Sequence, residues 1–148
     1  MKSTHIVGKS VEIKRPSHQL FSAFTDMRHF VERLPEDKKS MIEATEDTIE
    51  GNVKGIKLGA RIAERVPFSY VKITDYGTPI FPFEVGIFFD AIDSDTTRFH
   101  IEFDAELNFM MKMMIGGKLQ DGIDKATEQL ALAVEGKIDP ADMNFTGF

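Results

Sequence analysis

A chain of 148 residues is the size of one domain and long enough to bury a core, and 42% hydrophobic with 28% charged residues excludes a disordered polymer. A formal charge of −6 without any run of Lys or Arg argues against a nucleic-acid partner, which needs a basic patch. Having no cysteine, the chain forms no disulfide, thiolate nucleophile or thiolate metal site.

The opening Met1-Lys2-Ser3-Thr4-His5 leads into a polar-interrupted strand with no apolar signal core, and no stretch approaches membrane-spanning length. A cytoplasmic protein without integral membrane association is expected. Thirteen Phe stand against two Tyr and no Trp, and eight Met accompany them. Phe buries apolar area without a polar atom to satisfy and Met adapts to irregular shapes, so the interior is expected to be greasy, as core or as pocket lining.

Residues 4–14 are predicted as the first strand, with Val7, Val11 and Ile13 in alternation. Pro16 stops it and opens a short helix whose inner side carries Leu20, Phe21 and Phe24, since Pro costs nothing in a first helical turn. Thr25-Asp26 caps a second short helix with Met27, Phe30, Val31 and Leu34 at helical spacing, ended by Pro35. Both helices are too short to stand alone and must dock on something larger.

From residue 39 to 107 the period shortens to that of strands. Segments 41–45, 48–53, 56–66 and 69–76 are separated by Glu46-Asp47, Lys54-Gly55 and Pro67 and closed by Gly77, which reads as sequential antiparallel strands. Gly51, Gly55 and Gly59 are read as bends or bulges of a curving sheet. Pro79 and Pro82 make 78–82 a loop at one sheet end. Phe83, Val85, Ile87 and Phe89 then repeat with a period of two, as do Phe99, Ile101, Phe103, Ala105 and Leu107 in alternation with Arg98, His100, Glu102, Asp104 and Glu106. Asp93-Ser94-Asp95 turns one strand into the other. A one-residue slip would expose the Phe row, so the register is firm. The last element is a helix over 118–135, with Ile115, Leu119, Ile123, Ala126, Leu130 and Ala133 or Val134 on one side, Gly136 as its stop, and residues 139–148 as a tail after a single domain of 1–138.

The series Val11-Glu12-Ile13-Lys14-Arg15-Pro16, Leu20-Phe21, Thr25-Asp26-Met27 and Leu34-Pro35 resembles the START-like or SRPBCC superfamily, which includes polyketide cyclase/dehydrase-like, coenzyme Q-binding and Bet v 1-like proteins. The order of elements matches along almost the whole chain. The resemblance implies an α+β helix-grip fold: a curved antiparallel sheet of about seven strands wraps a long C-terminal helix, two short helices follow the first strand, and a hydrophobic cavity lies between sheet and long helix. The chain lacks the Trp usual in the chaperone-activating branch, and the superfamily has no shared catalytic motif, so no catalytic residue is carried over.

A small hydrophobic ligand, lipid, isoprenoid or aromatic, is the expected partner, with Phe83, Ile87, Phe89, Phe99, Ile101, Phe103, Met114, Leu119 and Ile123 as candidate lining. The run Phe109-Met110-Met111-Lys112-Met113-Met114-Ile115-Gly116-Gly117 admits two readings: core packing with a kinked helix start, or a pliable cavity entrance at Met110, Met113, Gly116 and Gly117. Partner docking or membrane-surface use of this run is a further possibility. The enzymatic alternative, of cyclase/dehydrase type, needs an inward acid or base, and Glu64 or Tyr70 would supply one if bulges turned them inward. A third alternative is an interaction module with a filled core, docking through the Met-rich run or the Phe145–148 end. His100, Glu102, Asp104 and Glu106 read as a solvated strand face, Asp90, Asp93 and Asp95 lack the glycine and distal Glu of a calcium loop, and no His spacing resembles a zinc site. No nucleophile elbow or phosphate loop is present, no cofactor is expected, and self-association is open.

Overall fold

The structure is a computed structural model and describes residues 4–32, 36–53, 56–77 and 81–137. The expected helix end at Leu34-Pro35, the Lys54-Gly55 turn, residues 78–80 and the 139–148 tail lie outside the described residues.

The chain forms strands β1 (Thr4–Val7) and β2 (Val11–Ile13), helix α1 (Ser17–Phe24), a 3-10 turn (Met27–Phe30) and a one-turn helix α2 (Glu36–Lys39). Strands β3 (Ile42–Ala44), β4 (Thr48–Val53), β5 (Ile56–Val66), β6 (Tyr70–Asp75), β7 (Phe83–Ala91) and β8 (Thr97–Ala105) follow. Helix α3 (Phe109–Ile115), a 3-10 turn (Gly116–Lys118) and helix α4 (Leu119–Val134) end the described chain. All pairings are antiparallel, in the order β1-β8-β7-β6-β5-β4-β3, with β2 also paired to β8. This is the helix-grip α+β architecture. The expected first strand is two strands because it breaks at Gly8. A Cβ there would lie 2.8 Å from the Ile101 carbonyl oxygen and 2.8 Å from Ile123 Cγ2, so only glycine lets the strand pass between β8 and α4.

Helix α4 is held along this broken edge by a polar ladder. Gln120 donates to the Val7 carbonyl (3.1 Å), Asp124 accepts from the Lys9 amide (2.8 Å), and Glu128 pairs with the Lys9 ammonium. Glu135 accepts from the Lys14 amide (3.1 Å), and this bond, ahead of the nearby Lys137, lowers its pKa. Its deepest line is Leu119, Ile123, Thr127 and Ala131 at i+4 spacing. Thr127 lies in that apolar line with its hydroxyl bonded back to the Ile123 carbonyl (2.8 Å). Gly136 takes φ +78, the left-handed stop expected there.

Helix α1 packs on β6 and β7, bringing Leu20 and Phe24 into the core, where Phe24 stacks on Phe99 at 5.5 Å. Asp26 caps the following turn by accepting from the Arg28 amide (2.9 Å). The second short helix is thus, over the described residues, a 3-10 turn rather than an α-helix. Gly51 and Gly59 sit in regular register opposite Leu58 and Glu50, and the bulge falls instead between Ile62 and Glu64. Among the described residues, no helix is long and apolar enough to cross a membrane.

Candidate functional site on the concave sheet face

The register sorts the concave face into cross-strand rows. One row is Val11, Phe99 and Phe89, and the next joins Ile101, Ile87 and Val71. Apart from partly buried Val11 these are core, with Phe99 fully buried and Phe89 1% exposed. The row after that runs Ile6, Phe103, Val85, Ile73 and Ile62, of which Ile6, Phe103 and Val85 are only partly buried. Beyond it come Thr4, Ala105 and Phe83, then Asp75, Ala60, Ile49 and Ala44, and finally Leu58, Gly51 and Ile42. Ala60, Ile49 and Ile42 are partly buried and Leu58 is exposed. Apart from buried Ala105, burial therefore fades across a face that stays mainly apolar.

The packing follows the same division. One buried cluster gathers Leu20, Phe24, Phe89 and Phe99 with Ile123 and Ala131 of α4. A smaller one joins Ala105, Leu107 and Leu119 with Phe81, Phe83, Met111 and Ile115 around it. Ile6 and Phe103 border both.

Two polar groups lie in the outer rows. The hydroxyl of Thr4 is buried with no hydrogen-bond partner among the described residues, an uncommon state for a buried oxygen. Asp75 shares the phase of Val71 and Ile73, and its carboxylate accepts from the Phe83 amide (3.1 Å). A cleft of about 330 Å³ opens at the ends of β6, β7 and β8, lined by Thr74, Asp75, Pro82, Phe83, Glu84, Asp104, Ala105 and Glu106. Both residues escaped the sequence analysis, though the Val71, Ile73, Asp75 series was a readable signal: a carboxylate in an apolar phase.

The residues expected to line a cavity divide by position. Phe89, Phe99, Ile87 and Ile101 lie in the deep rows and Leu119 and Ile123 on the buried line of α4. Phe83 and Phe103 lie in the partly buried rows, while Met114 is 67% exposed on α3. The core-packing reading of the Met-rich run fits only Met111 and Ile115, because Met110 and Met113 are as exposed as Met114. At Gly116 an added Cβ would meet only Lys112 Cγ at 3.8 Å, and at Gly117 nothing within 4 Å, so neither glycine is demanded by crowding.

The bulge in β5 turns Arg65, opposite Val71, onto the concave side, where it donates to the Thr25 carbonyl (3.0 Å) and pairs with Asp47 (2.5 Å). Glu64 stays opposite Lys72 and exposed, and Tyr70 pairs with Phe88 on the convex side. Neither reaches the concave face. On the convex face Tyr70, Phe88 and His100 form a ring stack with centroids 4.8 and 4.6 Å apart, and burial raises the Tyr70 pKa. His100 contacts Glu102 (3.0 Å), and His5 lies 3.7 Å from Glu102 and 2.6 Å from Asp104. Among the described residues, no group of three or more His, Asp or Glu is arranged to hold a metal ion.

Solved structures share this architecture. A START superfamily protein from Mycobacterium smegmatis matches at TM-score 0.57 and 15% identity, over 93% of this chain and 97% of its own. Norcoclaurine synthase from Thalictrum flavum matches at TM-score 0.66 and 10% identity, over 91% and 84%. A protein from Thermobifida fusca matches at 0.63 and 14%, over 93% and 95%. No family model and no curated protein sequence matches the chain. At these identities the matches show the helix-grip fold. They do not carry a ligand with them.

Proposed function

We propose that the protein binds a small, mainly apolar molecule on the outer rows of the concave face, beside α4. The carrying observation is the fading of burial across rows that remain mainly apolar, from fully buried Phe99 to partly buried Phe103 and exposed Leu58. A face that merely closed a core would bury its large side chains throughout. Apolar area supplies affinity at about 25 cal/mol per Å², and a few polar groups set orientation. Thr4 and Asp75 are suited to that second task. Phe83 and Phe103 would line the site, Leu119 and Ile123 would back it, and the deeper Phe89, Phe99, Ile87 and Ile101 would hold its floor. Gly116-Gly117 would let α3, with Met110 and Met113, move at the entrance. A norcoclaurine synthase structure of this fold was solved with dopamine and hydroxybenzaldehyde, which supports an aromatic molecule of similar size as one ligand class.

The test is native mass spectrometry with denaturing extraction, alongside titration with anilinonaphthalene sulfonate. A co-purifying apolar molecule, or saturable probe binding that Ala60→Trp weakens by about tenfold while the fold persists, supports the proposal. A clean mass together with no saturable probe binding refutes it. A catalytic reading rests on Asp75, the one carboxylate in these rows among the described residues. It requires Asp75→Asn to abolish turnover of a bound compound without abolishing its binding.

A further inference from the structure

Helix α3 carries an apolar stripe that no described part of the chain covers. Phe109, Met110, Met113 and Met114 are 80, 70, 73 and 67% exposed. At about 100° per residue they share one arc of roughly 140°, while Met111 and Ile115 pack inward beside Leu107 and Leu119. The helix is thus anchored by one side and apolar on the other.

Its charge differs from that of the rest of the protein. Residues 109–118 hold Lys112 and Lys118, both exposed, and no acid. With a chain net of −6, two positive charges here leave −8 on the remainder. A second copy of so acidic a chain would be repelled on approach, whereas at this end Lys112 and Lys118 offset the flanking Glu106 and Asp121, so an anionic lipid surface repels it less than the rest of the chain, which orients the encounter. Met and Phe next to Lys suit the boundary between headgroups and acyl chains, where apolar side chains insert and ammonium groups stay among phosphates.

We propose that the outward stripe of α3 docks the protein reversibly on an anionic lipid surface, with Phe109, Met110, Met113 and Met114 inserted and Lys112 and Lys118 at the headgroups. The proposal does not depend on ligand binding at the concave face.

The experiment is co-sedimentation of the full chain with phosphatidylcholine vesicles, with and without phosphatidylglycerol. The wild type is expected to partition onto the phosphatidylglycerol vesicles and to be released by salt. Phe109→Ser with Met113→Ser removes two exposed side chains, so thermal unfolding is unchanged while partitioning falls by about tenfold or more. Lys112→Gln with Lys118→Gln abolishes the preference for phosphatidylglycerol. Three results overturn the proposal: no sedimentation with either vesicle, equal sedimentation of the Phe109/Met113 variant, or a concentration-dependent dimer in sedimentation velocity that this variant abolishes.

Discussion

Two phenylalanines on the same strand and the same face, four residues apart, should contribute unequally to stability. Phe99 is fully buried, with ring neighbours Phe24 at 5.5 Å and Phe89 at 5.8 Å. Phe99→Ala loses the transfer energy and leaves an enclosed void, a cost of about 3–5 kcal/mol. Phe103 is partly exposed, and among the described residues its ring neighbour is Phe83 at 6.4 Å. About two thirds or more of the roughly 1.5–3 kcal/mol for burying such a side chain, with no enclosed void, gives about 1–2 kcal/mol for Phe103→Ala. The difference of roughly 1–4 kcal/mol, divided by a urea m-value of about 2 kcal/mol per M, separates the two midpoints by roughly 0.5–2 M. Urea unfolding followed by circular dichroism measures it, with m checked for constancy. Equal destabilisation would mean that Phe103 is core like Phe99, and the open outer rows would then not exist in solution.

Gly8→Ala should destabilise by about 1–3 kcal/mol, because one of its two clashes is with a backbone oxygen that cannot rotate away; an unchanged melting temperature would disprove the tight passage beneath α4. The Asp26 carboxyl, held mainly by the Arg28 guanidinium and then by its own cap bond, has a pKa lowered from 3.8 to about 2. A depressed folded-state pKa adds stability that is present above about 4 and lost as pH falls through 2. Wild type should therefore lose more stability than Asp26→Asn over that interval, and carbon-detected NMR should show the Asp26 midpoint rising in Arg28→Ala. A wild-type midpoint near 4 would contradict the pairing.

Most of the sheet was legible because alternation is a local signal. Phe83 to Phe89 and Phe99 to Ala105 fall in the phases that their apolar rows require, and the turn at Asp93-Ser94-Asp95 forms with the Asp95 amide donating to Asp93 (2.8 Å). What stayed hidden depends on partners distant in sequence. The break at Gly8 is set by Ile123, and the seating of α4 by Glu128 and Glu135 reaching Lys9 and Lys14. The bulge that turns Arg65 inward while leaving Glu64 outward leaves no mark in composition. In α3 the run is apolar nearly all round, so no periodicity says which Met residues pack and which do not. Thr4 is noticed only once its neighbours are known, since a lone Thr near a strand start has nothing unusual about it.

The open outer rows follow from dimensions. Seven strands at about 4.8 Å spacing span roughly 29 Å, whereas a helix with its side chains is about 10–12 Å across. Helix α4 covers two or three strands, and its ladder to Val7, Lys9 and Lys14 fixes those as β1, β2 and β8. Helix α1 covers β6 and β7 around Phe89, and the turn after it meets β4. Leu58 is then left 38% exposed, and Ile42, Ile49 and Ala60 are covered only in part. Shifting α4 toward them would strand Glu135 and Asp124 from the amides they accept, so the edge contacts that hold the helix also keep the other side of the concave face accessible.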